Sequence, residues 1–259
     1  MFEDLECGGW RVCYVADGHS EMPNTVFPAF NSAEAGVPQD EEFRLEIGAF
    51  VIRRPGRVVL VDTGSAGNFG PNASRFHQSL AALGIGPDQV DQILITHLHS
   101  DHYGGLLGEN GEAAFPQARL VLSRQEWQCL DDPKASAACA AVGPYEGRVD
   151  LVGDGDELAS GLKIMALPGH TPGHIGLEID GDDRRVLVLG DVIHCPAYQL
   201  PHPDWTVIYD NDPHQAAATR RMILGRAAAD QCVIVGAHMG ALNPCRVKIA
   251  GDGFEAVGL

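Results

Sequence analysis

Positive charge is scarce in this chain: 18 Lys and Arg stand against 35 Asp and Glu in 259 residues, a formal net charge of −17. Like charges repel, so nucleic acid is excluded as a partner for the chain as a whole. Long apolar runs are also missing. No stretch approaches the ~20 residues that cross a bilayer, which excludes a helical membrane protein. The opening Met1-Phe2-Glu3-Asp4-Leu5-Glu6 has neither a basic leader nor an apolar run, so no secretory signal is expected. The seven cysteines (Cys7, Cys13, Cys129, Cys139, Cys195, Cys232 and Cys245) are odd in number and form no C-x-x-C. Zinc fingers and a redox dithiol are therefore excluded, and free thiols in a reducing cytoplasm are expected. There is no G-x-S-x-G and no Walker A motif, so neither a serine nucleophile on that elbow nor a phosphate-binding loop is expected.

What is present is enough apolar material, 45 % of residues, for a sizeable core, read here as one domain over residues 1–259. Short Val- and Ile-rich or alternating runs predict strands at 11–16, 43–53, 57–62, 92–96, 118–122, 162–167, 175–179, 185–189, 231–236 and 245–249. A helix is predicted over 72–83, with Phe76, Leu80 and Leu83 on one face and Gly84 as its stop. Ser123 and Glu126 read as a capping box for a short helix through Leu130. Asp212-Pro213-His214-Gln215 opens a helix expected to reach about Ala229. Residues 18–42 and 194–206 lack periodicity and are expected to be irregular loops that wall or cover a site.

The strand at 92–96 runs into His97-Leu98-His99-Ser100-Asp101-His102. Two histidines two residues apart on extended backbone turn their rings to one side, and Asp101 and His102 face a second point close by. Imidazole nitrogen and carboxylate oxygen are the donors a borderline divalent metal prefers. His170 in Pro168-Gly169-His170-Thr171-Pro172-Gly173-His174, Asp191 in Gly190-Asp191 and His238 in Gly236-Ala237-His238-Met239-Gly240 each follow a predicted strand. Any one alone is better read as a core histidine or a buried acid. Four strand ends each delivering His or Asp point to a metal centre.

With Val61-Asp62-Thr63-Gly64 upstream and Tyr103-Gly104-Gly105 after the His97–His102 motif, these pieces come in one order over residues 58–240. In this the chain resembles the metallo-β-lactamase-fold hydrolases. The resemblance implies an α+β fold, an αββα sandwich of two mixed sheets with helices outside. It also implies two divalent ions, best matched by Zn with Mn, Fe or Co also compatible. His97, His99 and His170 would hold the first ion, Asp101, His102 and His238 the second, and Asp191 would bridge them. Asp62 is expected to orient ligands, and His174 to be structural. A bridging hydroxide would attack the substrate, with Asp101, Asp191 and His194 at the reacting centre.

Asp191 departs from the Cys or Ser common in true β-lactamases, which sets β-lactams aside. The strand-like end at 245–257 departs from the helical region of glyoxalase II-like thioesterases, and the length from members that process RNA. The likeness is greatest to the methyl parathion hydrolase and lactonase-like branch, through Gly190-Asp191-Val192-Ile193-His194 and the helix at Asp212-Pro213. His194 stands where quorum-signal lactonases often carry Tyr. The expected substrate is a small uncharged ester, lactone or phosphotriester. Phe27, Phe30, Tyr198 and Trp205 are expected either to line its pocket or to cover a contact between two copies in a homodimer. The alternative within the fold is a persulfide dioxygenase-like oxidoreductase holding a single iron.

Overall fold

Period-two alternation is what builds the two sheets. The computed structural model describes residues 4–31 and 41–259, with the side chains of Phe30 and Asn31 outside that description. Strands β1 (Leu5–Cys7), β2 (Trp10–Pro23), β3 (Glu42–Arg54), β4 (Arg57–Val61), β5 (Gln92–Leu94), β6 (Arg119–Ser123) and β7 (Val149–Val152) lie side by side in chain order. The first four are antiparallel to one another and the last four parallel. Strands β8 (Glu157–Ala159), β9 (Leu162–Ala166), β10 (Ile175–Asp180), β11 (Arg185–Val188) and β12 (Val233–Val235) form the second sheet in the order β12-β11-β10-β9-β8, antiparallel except for β11 and β12. A hairpin of β13 (Arg246–Ala250) and β14 (Gly253–Val257) joins it through a bridge between Ile234 and Cys245.

Alternate residues of each strand point to opposite layers. Val12, Phe50, Ile52, Val59, Val61, Leu94 and Val121 of the first sheet meet Ile164, Leu177, Val186, Val188, Val233 and Val235 of the second. Their neighbours Val15, Val51, Leu60, Ile93, Leu120 and Leu122 face the opposite way, into a layer with α1 (Phe76–Ala82). On the far side Leu187, Leu189 and Ile234 pack on Ile223, Leu224 and Ala227 of the late helix, Pro213–Ala229. The result is the expected α+β sandwich, helix on sheet on sheet on helix. Each aliphatic side chain buried this way contributes ~1.5–3 kcal/mol.

The remaining helices are α2 (Ser100–Tyr103), α3 (Arg124–Cys129), α4 (Ser136–Val142) and α5 (Pro196–Gln199), with Pro213–Ala229 as α6. Three expectations need correction. The helix predicted over 72–83 starts at Phe76, because Asn72 accepts the backbone N–H of His19 and Ala73 bridges Gly18. A Cβ at Gly18 would lie 1.7 Å from the carbonyl oxygen of Asn72, so this approach requires glycine. Much of 18–42 is not irregular: 18–23 continue β2 beyond a bulge at Asp17. The bulge breaks the alternation that sequence reading relies on. It also turns Asp17 inward, where its carboxylate accepts from Ser65 and from the N–H of Phe76 at the start of α1. Finally, Ser123 does cap α3, but Glu126 does not complete the box. Its carboxylate is taken by the site loops described below.

Trp10 sits fully buried between the sheets, donates from Nε1 to the Ser160 carbonyl at 3.0 Å and carries the Arg54 guanidinium 4.1 Å above its ring. Trp10→Ala should lower the unfolding free energy by ~3–5 kcal/mol in a urea titration. An unchanged midpoint would contradict this packing.

Candidate metal centre

The carboxyl ends of β4, β5, β9, β11 and β12 deliver their following residues to one place. After β5 the chain bends through Thr96, His97 and Leu98, is extended at His99, with φ −94° and ψ 150°, and then turns into α2. This throws His97 and His99 to one point and Asp101 and His102 to another. His170 follows β9, Asp191 lies in the turn after β11, and His238 follows β12. All seven residues come together in two groups, His97 with His99, His170 and Asp191, and Asp101 with His102 and His238.

Asp191 stands between the groups. Its Oδ2 lies 3.3 Å from His170 Nε2 and 3.6 Å from His97 Nε2. Its Oδ1 lies 3.0 Å from His102 Nε2 and 3.1 Å from His238 Nε2. Asp101 Oδ2 is 3.8 Å from His102 Nε2 and 3.7 Å from His238 Nε2. Burial opposes ionisation of Asp191, but His102, His238 and His97 outweigh it and hold the carboxyl well below the usual carboxylate range.

The imidazoles are aimed from behind. A carbonyl or carboxylate oxygen only accepts, so each ring nitrogen facing one carries the proton. Nδ1 of His238 faces the Glu46 carbonyl at 2.6 Å, Nδ1 of His170 faces Asp210 at 2.9 Å, and Nδ1 of His102 faces Asp62 at 2.8 Å. Burial opposes a second proton on these rings, but Asp191 together with Asp62, Asp101 and Asp210 outweighs it and raises all three, His170 to about 9, so Nε2 would present a lone pair to the centre only where a cation displaces that proton. Nε2 of His97 and of His170 lie 3.0 and 2.9 Å from Nδ1 of His99. Burial and the surrounding imidazoles push His97 well below its ordinary pKa, and burial takes His99 down to about 4. These two contacts are hydrogen bonds whose direction depends on the ring tautomers, and a cation among the three nitrogens would take their lone pairs instead.

At the second group, His102 Nε2, His238 Nε2 and the Asp191 Oδ1 that faces them are buried with no hydrogen-bond partner. Leaving such a group unpaired costs ~1–3 kcal/mol each. Orphaned donor atoms of the right chemistry, facing each other at hydrogen-bond distance, fit divalent cations.

Asp62 takes the orienting position expected of it. Beyond His102 it accepts the N–H and hydroxyl of Thr96 at 2.8 and 3.0 Å. His174 is buried, and its Nδ1 faces the Leu167 carbonyl at 2.8 Å. Its Nε2 accepts the backbone N–H of Asp191 at 3.1 Å, so it positions the turn. Burial lowers its pKa to about 3, consistent with the neutral ring this arrangement needs.

Two residues were missed by sequence reasoning. Asp210 braces His170, but 40 residues of separation hide the pairing. Glu126, buried, accepts from Leu98 at 2.8 Å, Thr171 at 2.5 Å and Gly173 at 3.0 Å. It ties the His97 loop to the His170 loop. Its place three residues after Ser123 reads as a cap, and nothing local marks the other use.

His194 lines a cavity of about 240 Å³ above the centre, with Met22, Val26, Phe43, Leu45, Phe69, Val207 and Tyr209. Phe27, Tyr198 and Trp205 pack as a cluster behind this wall instead of facing the cavity. The expectation that they line the pocket is corrected accordingly; the side chain of Phe30 lies outside the described residues.

The family model of the Metallo-beta-lactamase superfamily matches residues 47–238. The chain belongs to this superfamily. A hydroxyacylglutathione hydrolase from Aeromonas hydrophila subsp. hydrophila is 33 % identical over 204 residues, 78 % of this chain. The match spans 64 % of that relative's length, just under two thirds. The solved structure of AbOPH, described as a hydrolase in the beta lactamase superfamily, aligns at TM-score 0.86 and 26 % identity over 100 % of this chain and 97 % of its own. AidC, a dizinc quorum-quenching lactonase solved with a product bound, shares the fold at TM-score 0.87 and 21 % identity over the same shares of the two chains.

Removing Asp62 frees the ring of His102. Asp62→Ala should weaken metal retention by ~10–100-fold, read by competition with a chromogenic chelator. Wild-type retention in this variant would show that Asp62 does not orient a ligand.

Proposed function

We propose that this protein is a dinuclear metal-dependent hydrolase of small uncharged esters, lactones or phosphotriesters. The observation that carries the reading is the division of Asp191, one oxygen toward each imidazole group. His97, His99 and His170 would hold one ion, Asp101, His102 and His238 the other, and Asp191 would serve both. Zinc suits the donors best, with Mn, Fe or Co also accommodated. Such a pair of ions supplies a water acidic enough to be deprotonated near neutral pH and positive charge for a developing oxyanion.

The chain's own residues then select the substrate. The cavity wall is apolar, and no Lys or Arg is among its lining residues as described. A glutathione thioester carries carboxylates that this wall does not meet with a cation, so the activity named for the Aeromonas relative is not carried over. A lactone or neutral ester seats its apolar part against Phe43, Leu45 and Val207. His194 is buried and kept neutral, since burial lowers its pKa. Its Nε2 is 3.3 Å from Asp191 Oδ2, and neither ring nitrogen has a hydrogen-bond partner. It is placed to donate to the substrate carbonyl or phosphoryl oxygen. The phosphotriester part of the reading rests on the likeness to methyl parathion hydrolases at residues 190–194. A reducing cytoplasm remains the proposed compartment, supported by seven cysteines that are all free. Among the described residues, no helix is long and apolar enough to cross a membrane.

The test is a panel of an aryl ester, a lactone, a phosphotriester and a glutathione thioester, assayed with the zinc-loaded protein. Hydrolysis of at least one neutral substrate is expected, abolished by chelation and by His97→Ala, with the thioester the poorest. His194→Phe should keep its metal and lose ~100-fold in kcat/KM, the scale of one lost oxyanion donor. Failure on every neutral substrate, or faster turnover of the thioester, would overturn the reading.

A further inference from the structure

Arg220 of α6 is among the largest fully buried side chains, 1 % exposed. Among the described residues it has no carboxylate at ion-pair distance. Its guanidinium is spent on backbone. Nε donates to the Val192 carbonyl at 2.6 Å, and Nη1 donates to the carbonyls of Pro203 at 2.7 Å and Trp205 at 2.9 Å. Burying a guanidinium is costly, and an apolar side chain would fill the same volume without that cost. A planar head with several fixed donors can, however, hold separate strands of backbone at a set spacing.

Those strands are the two sides of the site. Val192 directly follows Asp191. Trp205 is held a second time by Gln199 Nε2 at 3.0 Å, and Gln199 Oε1 accepts the N–H of His194 at 2.7 Å and of Cys195 at 3.2 Å. Past Trp205 the chain makes a tight turn, in which Asp210 accepts from Val207, and Asp210 then reaches His170. A void of about 10 Å³ separates Arg220, Ala216 and Thr219 from His170, His174 and Asp191 on the underside of the centre.

We propose that Arg220 is a positioning residue that fixes the spacing between the Asp191 turn and the pocket wall carrying His194, Val207 and Asp210. Its effect on turnover rests on the hydrolase reading above, whereas its effect on the loop does not. Lysine keeps the charge but offers a single point donor, and methionine fills the space without donors.

R220K and R220M, with wild type, are to be compared in three ways. These are amide hydrogen exchange of residues 192–210, the visible spectrum of the cobalt-substituted protein, and kcat and KM on the best neutral substrate. Exchange should rise at least ~10-fold in 192–210 while β11 and β10 stay protected. The cobalt bands should shift, and KM should rise ~10-fold with a smaller fall in kcat. Should R220M fail to fold, R220K decides. Folded variants with wild-type exchange and spectrum would overturn the proposal, as would a rise in exchange shared evenly by the whole chain. If local exchange and spectrum change but wild type hydrolyses nothing, the positioning role stands and the hydrolase reading falls.

Discussion

A single buried carboxylate organises the centre. Asp191 is surrounded by imidazoles, three nitrogens near Oδ2 and two near Oδ1, with the backbone N–H of its own residue held by His174. A lone ion at such depth would be prohibitively expensive, so everything around it has to compensate. The five strand ends converge because their sheets pack face to face, and the sandwich in turn sets where Asp191 can stand. Cations in the two imidazole groups would satisfy at once the carboxylate, the crowded His97, His99 and His170 nitrogens, and the orphaned atoms of His102 and His238.

Aiming the candidate donors takes nearly as many residues as donating. Asp62, Asp210, Glu46, Thr96 and His174 each fix a ring or a turn, and Glu126 fastens two ligand loops to each other. They come from β3, the ends of β4 and β5, α3, the turn before β10 and the segment before α6. The centre is therefore a product of the whole tertiary structure. Pocket and centre share parts as well: His170, Asp191, His194 and His238 line the cavity that the apolar wall completes. In the proposed reading, selection of an uncharged substrate and activation of its attacker would thus be built on the same turns.

Much of this was legible in the sequence for a simple reason. Strands with alternating Val, Ile and Leu announce themselves locally, and His97-x-His99-x-Asp101-His102 concentrates four candidate ligands in one short run. The superfamily and the layering followed from motif order. What was hidden is non-local. Asp210 and Glu126 reach their partners across 40 and 28 residues, and no period marks them. The bulge at Asp17 concealed the second half of β2, and contact of Asn72 and Ala73 with that strand shortened α1. Only part of the pocket wall comes from the expected stretches, Met22, Val26 and His194; Phe43, Leu45, Phe69, Val207 and Tyr209 lie beyond them, and Phe27, Tyr198 and Trp205 pack on one another behind the cavity.

The central claim is that Asp191 serves two ions at once. Native mass spectrometry of the chain titrated with zinc, beside Asp191→Ala, tests it most directly. The account predicts two ions per wild-type chain, bound over a narrow range of free zinc, and a marked loss of both in the variant. A single ion per wild-type chain at saturation, or an Asp191→Ala chain that still takes up two with unchanged affinity, would contradict it.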